Sequence, residues 1–243
     1  MGLADNIERV QERIAHACAR AGRALSEVTL VAVSKTFPAE IAAEAYHLGL
    51  RHFGENRVEE AREKIPNTKS QISNPTSDLH WHLVGHLQSR KAAEAVALFD
   101  MIHSVDSVKL ANKLSRLCSE AGRVMPVLLE CNVSGEESKY GFPAATAADK
   151  ARWMAGVEAI LAEGSGVRVE GLMTVAPIVS QTQDARPVFR ALRQLRDELA
   201  TRFPQTDWRH LSMGMTDDFE IAIEEGATLV RVGRAIFGGR RRA

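Results

Sequence analysis

Val28-Thr29-Leu30-Val31-Ala32-Val33-Ser34-Lys35 is the stretch on which the reading of the whole chain turns. From Val28 to Val33 the residues are apolar or β-branched almost without interruption. A strand with one wet face alternates polar and apolar side chains. A continuous run needs cover on both faces, as in a parallel sheet packed beneath helices. The run ends at Ser34-Lys35-Thr36. Pro38 then opens a helical segment to about Leu48, with Gly49 as its stop signal. Upstream, Ile7, Val10, Ile14 and Cys18 recur at helical spacing, which predicts an amphipathic helix over residues 5–21.

Outward from this unit the alternation repeats. Strand-like runs fall near His52–Gly54, His80–Gly85, Met101–Ser104, Val127–Cys131, Val169–Met173, Arg209–Ser212 and Leu229–Val232. Helical patterns separate them at about 57–64, 89–98, 106–121, 144–162, 182–202 and 217–225. Eight strands alternating with helices predict an α/β fold, a single (β/α)8 TIM-like barrel with an extra N-terminal helix. An open doubly wound sheet is the alternative. The length of 243 residues suits such a barrel, which typically takes about 250. Pro66–Asp78, rich in Asn, Ser, Thr and Pro, reads as an exposed loop. No linker divides the chain, so residues 1–243 are read as one domain.

Composition narrows the function. Lys plus Arg and Asp plus Glu are both 31, a formal net charge of zero. Nucleic acid and anionic membranes demand a basic excess, so neither is expected as a partner. Arg240-Arg241-Arg242 at the end form a small basic tail, read as a solvated terminus. The three scattered cysteines, Cys18, Cys118 and Cys131, suggest neither a disulfide framework nor a zinc site. No signal peptide or membrane span is apparent, and a cytoplasmic location is expected.

In a parallel barrel, ligand groups gather where strands end and the following loops begin. Lys35 ends the first strand. Burial disfavours the ammonium form and leaves a nucleophilic amine able to condense with an aldehyde; the competing reading is a salt-bridged lysine at a strand end. After the seventh strand comes Ser212-Met213-Gly214-Met215-Thr216-Asp217, and after the eighth Gly233-Arg234-Ala235. Barrels often hold phosphate between these two turns, although ordinary βα turns would look the same. Arg231 lies inside the apolar run Leu229–Val232, on one face with Leu229 and Gly233. A buried arginine needs a partner. Either a pyridine nitrogen or a carboxylate such as Glu55 or Glu130 would serve. His80, His82 and His86 share a parity, but without matched Cys or carboxylate ligands no metal is expected. Lys139, in the loop after the fifth strand, reads either as a surface lysine or as a transient second aldehyde acceptor.

These residues carry a resemblance. The segments Val31-Ala32-Val33-Ser34-Lys35, Phe53-Gly54-Glu55-Asn56 with Glu59, Trp81-His82-Leu83-Val84-Gly85-His86-Leu87-Gln88, Gly171-Leu172-Met173-Thr174, Leu211-Ser212-Met213-Gly214-Met215 with Asp217 and Asp218, and Val230-Arg231-Val232-Gly233 through Ile236-Phe237-Gly238 resemble the pyridoxal phosphate homeostasis proteins. Their fold-type III barrel is similar to the N-terminal domain of alanine racemase. The resemblance spans nearly the whole chain, in order.

It implies pyridoxal 5'-phosphate as cofactor, held as a Schiff base on Lys35. Arg231 would face the pyridine nitrogen, Asn56 would sit beside the ring, and Met173 would pack near it. Ser212, Met213, Gly233 and Arg234 would hold the phosphate. Arg90 and Arg234 depart from the family pattern, which has Asn and a small residue there. No catalytic residue and no metal ligand are implied. The implied role is supply and buffering of vitamin B6 and amino-acid balance without turnover, with transient contact to apo pyridoxal enzymes. A monomer is expected.

Physics agrees with weak catalysis. A charged arginine disfavours protonation of the ring nitrogen and so weakens the electron sink. Neither Tyr46 nor Tyr140 lies in a module long enough to supply an opposing acid or base. The alternatives are a minimal amino-acid racemase or decarboxylase on the same site, and a class I aldolase using Lys35 without the cofactor.

Overall fold

The computed structural model describes residues 2–72, 78–136, 139–163, 165–177 and 181–239. The basic tail at 240–242, residues 73–77 and residues 137–138 lie outside the described residues.

Eight parallel strands close into a barrel: β1 (Thr29–Val33), β2 (His52–Glu55), β3 (His80–Leu83), β4 (Met101–Val105), β5 (Met125–Asn132), β7 (Val167–Met173), β8 (His210–Ser212) and β9 (Leu229–Val232). Neighbours pair around the ring, β4 on β5 and β9 back on β1. A two-residue strand, β6 (Phe142–Pro143), adds to the end of β5. The surrounding helices are α2 (Ala39–His47), α3 (Val58–Ser70), α4 (Ala92–Leu98), α5 (Val108–Glu120), α6 (Ala147–Glu163), α7 (Arg186–Arg202), α8 (Phe219–Glu224) and the short α9 (Arg234–Phe237). The extra helix α1 (Leu3–Arg20) buries Ile7, Val10, Ile14, Ala17 and Cys18, the stripe its spacing predicts.

Strand alternation sorts the apolar side chains into two cores. Ala32 and Phe53 join the large layer between strands and helices. Val31, Met101, Leu128, Met173 and Leu229 form a separate cluster inside the barrel. Each fully buried large side chain contributes roughly 1.5–3 kcal/mol. Ala42, Ala43 and Ala45 on α2 and Ala92 and Ala95 on α4 are all buried, and their small side chains let those helices lie close to the wall.

One expectation fails locally. The segment from Pro66 begins not as a loop but as the last part of α3, which runs through Pro66 to Ser70. Proline inside a helix removes a hydrogen bond and costs about 3 kcal/mol. Here tertiary packing offsets that cost: Ala61, Ile65 and Thr68 are buried on the inner face, and Lys64 lies among them. The segment at 89–98 also differs, starting as a 3-10 turn (Ser89–Lys91) before α4.

Candidate functional site

The register brings the chemistry to one rim. Val31 lies opposite Arg231, and Val33 opposite Gly54. Lys35, two residues beyond Val33, therefore stands at the barrel mouth beside the ends of β2 and β9, partly buried. Thr36 follows with φ 67, in the left-handed region that residues bearing a Cβ rarely adopt.

Arg231 is 5% exposed. Its Nη1 donates to Ser212 Oγ at 2.6 Å and its Nη2 to the Thr174 carbonyl at 2.8 Å. Both acceptors are neutral. Among the described residues no carboxylate lies at ion-pair distance from it. Burial pulls its pKa down to about 10, while Asp218 and Glu130 oppose that from further away. Glu55 is not its partner; that carboxylate points out of the barrel and pairs with Lys64 at 2.6 Å. A guanidinium has five N–H donors. One held by two neutral acceptors in a dry interior keeps both charge and donor capacity for an incoming acceptor. A pyridine nitrogen meets that requirement.

Behind Arg231 runs a chain that no single segment of the sequence reveals. Ser212 Oγ is 2.8 Å from His103 Nδ1. His103 Nε2 is 2.9 Å from His82 Nδ1, and His82 Nε2 is 3.0 Å from His52 Nδ1. The His52 ring stacks on His80, with centroids 4.8 Å apart. Arginine only donates, so Ser212 accepts from Arg231 and its own hydrogen can go to His103. With that polarity every ring carries its hydrogen on Nε2 and accepts at Nδ1. Burial keeps the chain neutral. It holds His82 and His103 well below the ordinary histidine range and lowers His52 to about 4, with neighbouring imidazoles adding to the shift. The Ser212 hydroxyl is thus turned into the barrel rather than toward the rim, where a phosphate would sit.

The two rim turns are shaped for close approach. Gly214 has φ 92, and a Cβ there would lie 2.5 Å from the Ala222 Cβ. A Cβ on Gly233 would lie 3.0 Å from the Val33 carbonyl oxygen. The Met213 N–H is committed to the Leu229 carbonyl at 3.2 Å, and the Met215 N–H to Asp218 Oδ1 at 2.6 Å. Arg234 and the residue after it open α9, where the first N–H groups have no intrahelical acceptor. The Arg234 side chain is exposed and paired with Asp217. Met173 is 1% exposed inside the barrel. Asn56 is half-buried at the end of β2, with Gly85 packed so closely that a Cβ would meet the Asn56 carbonyl oxygen at 2.3 Å.

Glu130 carries more than the sequence reading assigned to it as a counter-ion. It faces inward at the end of β5, 8% exposed, and its Oε2 has no hydrogen-bond partner among the described residues. It lines a cavity of about 180 Å³ with Asn132, Lys139, Tyr140 and Thr174. Burial first and Asp106 second raise its pKa, against the pull of Arg231, to about 7. Its signal was a lone carboxylate in an apolar strand, on the same face as Leu128. Lys139 is engaged by Glu136 at 2.7 Å and Ser134 at 3.2 Å. A wider cleft of about 550 Å³ opens beside Asn56, between Arg57, Glu59, Arg90 and the stacked rings of His86 and Tyr140. Arg90 folds back onto Gln88 there, at 2.9 Å. Among the described residues no helix is long and apolar enough to cross a membrane, and no group of histidines, cysteines or carboxylates is arranged to hold a metal.

Comparison with known proteins agrees with this fold. Residues 6–241 match the family model of the alanine racemase N-terminal domain. The chain is 40% identical over 241 residues to the pyridoxal phosphate homeostasis protein of Aquifex aeolicus, covering 99% of this chain and 100% of that one. The solved structure of PipY from Synechococcus elongatus with PLP bound superposes with a TM-score of 0.80 at 36% identity, covering 98% of this chain and 100% of that one. The D-threo-3-hydroxyaspartate dehydratase of Delftia shares the barrel, with a TM-score of 0.65 at 20% identity. It covers 95% of this chain, which spans only 59% of the enzyme's.

Proposed function

Since the chain belongs to the pyridoxal phosphate homeostasis proteins, built on the alanine racemase N-terminal barrel, we propose that it holds pyridoxal 5'-phosphate as a Schiff base on Lys35. In this reading it serves as an intracellular carrier and buffer of that cofactor. The observation that carries the reading is Arg231, a buried cation served, among the described residues, by a hydroxyl and a carbonyl, on the strand beside Lys35. Lys35 would supply the amine for an imine with the aldehyde, water being the other product. When bound, the cofactor supplies an electron-withdrawing ring. Arg231 keeps its nitrogen unprotonated and weakens that pull.

The proposed cofactor-facing set is Lys35, Asn56, Met173, Ser212, Met213, Arg231, Gly233 and Arg234. Ser212 acts through Arg231, Met213 shapes the first turn, and Gly233 with the backbone of Arg234 forms the second. Relatives that match nearly the whole chain bear homeostasis names, which supports a role without turnover. Cytoplasmic location, a monomeric state, a part in amino-acid balance and hand-off to apo pyridoxal enzymes belong to the same proposal.

The test is the absorption spectrum of purified protein with the cofactor, beside Lys35→Ala. Expected is a near-ultraviolet to violet band that borohydride fixes onto Lys35, absent in the variant. Equal bands in both would overturn the assignment. The competing reading, a minimal racemase or decarboxylase, draws on the acid Glu130 in the site. Deuterium exchange at the α-carbon of amino acids at ordinary catalytic rates would favour it over the carrier.

A further inference from the structure

Lys35 sits in a turn that helix α3 grips from outside the barrel. Lys64 Nζ reaches the Ser34 carbonyl at 2.9 Å and Glu55 Oε1 at 2.6 Å. Ser34 Oγ donates to the same Glu55 oxygen at 2.6 Å. Ser34 and Glu55 are fully buried and Lys64 is 7% exposed. One helical turn earlier on α3, Glu60 Oε2 accepts from the Thr36 N–H at 3.2 Å. The Ser34 carbonyl belongs to the peptide unit before Lys35, and the Thr36 N–H to the unit after it. Both peptide planes that define the Lys35 backbone are therefore tied to one rigid element. The Phe37 N–H also bonds the Ser34 carbonyl, at 3.1 Å, and Thr36 is held at φ 67 between them.

Stability alone does not account for this arrangement. Replacing a buried ion pair with apolar residues is often neutral or stabilising, and here Glu55 Oε2 has no hydrogen-bond partner among the described residues. Left-handed backbone at a residue bearing a Cβ persists only where surroundings over-determine it, and such residues cluster at functional sites. We infer that Lys64, Glu55 and Glu60 are positioning residues that fix the direction in which the Lys35 amine leaves the strand. The inference rests on Lys35 being the Schiff-base amine, and it assigns the α3 face a part in the rate at which that amine meets an aldehyde.

The test uses the full chain carrying Lys64→Met with Glu55→Gln, which removes both charges together, and separately Glu60→Gln, at a half-buried position. Two quantities are read: hydrogen exchange at the Thr36 amide without ligand, and the rate of borohydride trapping on Lys35 with pyridoxal 5'-phosphate. The double variant is expected to speed Thr36 exchange and slow trapping at least tenfold, with amides of β5 and β7 unchanged. Glu60→Gln is expected to change both about threefold. Wild-type trapping in a folded double variant overturns the inference. If the double variant does not fold, unchanged exchange and trapping in Glu60→Gln overturn it instead. Absence of trapping in the unsubstituted protein would count against the cofactor reading, while Thr36 exchange would still decide whether α3 holds the turn.

Discussion

Two buried cations stand on opposite sides of one strand wall and are treated in opposite ways. Lys64, outside the barrel, has a carboxylate at 2.6 Å and a carbonyl at 2.9 Å. Arg231, inside it, has a hydroxyl and a carbonyl and no carboxylate at ion-pair distance among the described residues. The first is a completed pair and the second a charge kept in reserve. A buried charge is expensive in either place. The difference separates a cation whose partners the fold supplies from the one proposed to meet the cofactor.

Removing Lys64 alone breaks the comparison at its stable end. Lys64→Met strands Glu55 in the helix layer, and uncompensated buried charges typically cost about 3–5 kcal/mol. Urea unfolding should show a loss of that size, largely restored by adding Glu55→Gln. A loss below about 1 kcal/mol would mean the pair is not the structural anchor described.

Glu130 tests the other end, since it is the inward carboxylate that acts on Arg231 from a distance. Its folded pKa, about 7, lies above the ordinary value of 4.5. The folded chain therefore holds that proton more tightly than the unfolded chain. Its stabilising contribution is present below about pH 4.5 and disappears as pH rises to about 7. Glu130→Gln should match the parent near pH 4 and exceed it by up to ~3 kcal/mol at pH 8, in thermal or urea unfolding of ligand-free protein. A pH-independent difference would show Glu130 ionised throughout, as a true counter-ion of Arg231.

Arg231→Met sharpens the contrast through ligand binding. Hydrogen bonds to charged groups are worth about 1.5–3 kcal/mol, so pyridoxal 5'-phosphate affinity should fall by roughly ten- to a hundredfold. Equilibrium titration of the absorbance band measures it, and unchanged affinity would remove Arg231 from the site. The smallest effect lies deepest. His103→Phe deprives Ser212 of its acceptor and should weaken binding only severalfold. Nitrogen-15 shifts should place the imidazole hydrogens on Nε2 in His103, His82 and His52, with His52 titrating near pH 4.

Periodicity along the chain was enough for the order of strands and helices, though not for the choice between a closed barrel and an open sheet. Each of the eight runs became a strand, because a continuous apolar stretch such as Val28–Val33 has a local signature that closure of the barrel does not alter. Lys35 and the turns at Gly214 and Gly233 were legible because they stand at strand ends, where chemistry is expected, and Arg231 because it is a charge inside an apolar strand. Pro66 misled because the cost of proline is local, whereas the packing of Ile65 and Thr68 that outweighs it is not.

The amino-acid order by itself thus determined the alternation of eight strands with helices, the extra helix, the strand-end lysine and the arginine within the last strand; pairing of β9 with β1 decided for a closed barrel over an open sheet. The tertiary structure alone decided the partners: that Glu55 turns outward to Lys64 rather than inward to Arg231, that Ser212 faces His103 rather than the rim, and that residues 52, 82 and 103 join into one line. Hydrophobic pattern is a property of neighbours in the chain. A hydrogen bond across the barrel exists only once closure and register have set which side chains share a layer.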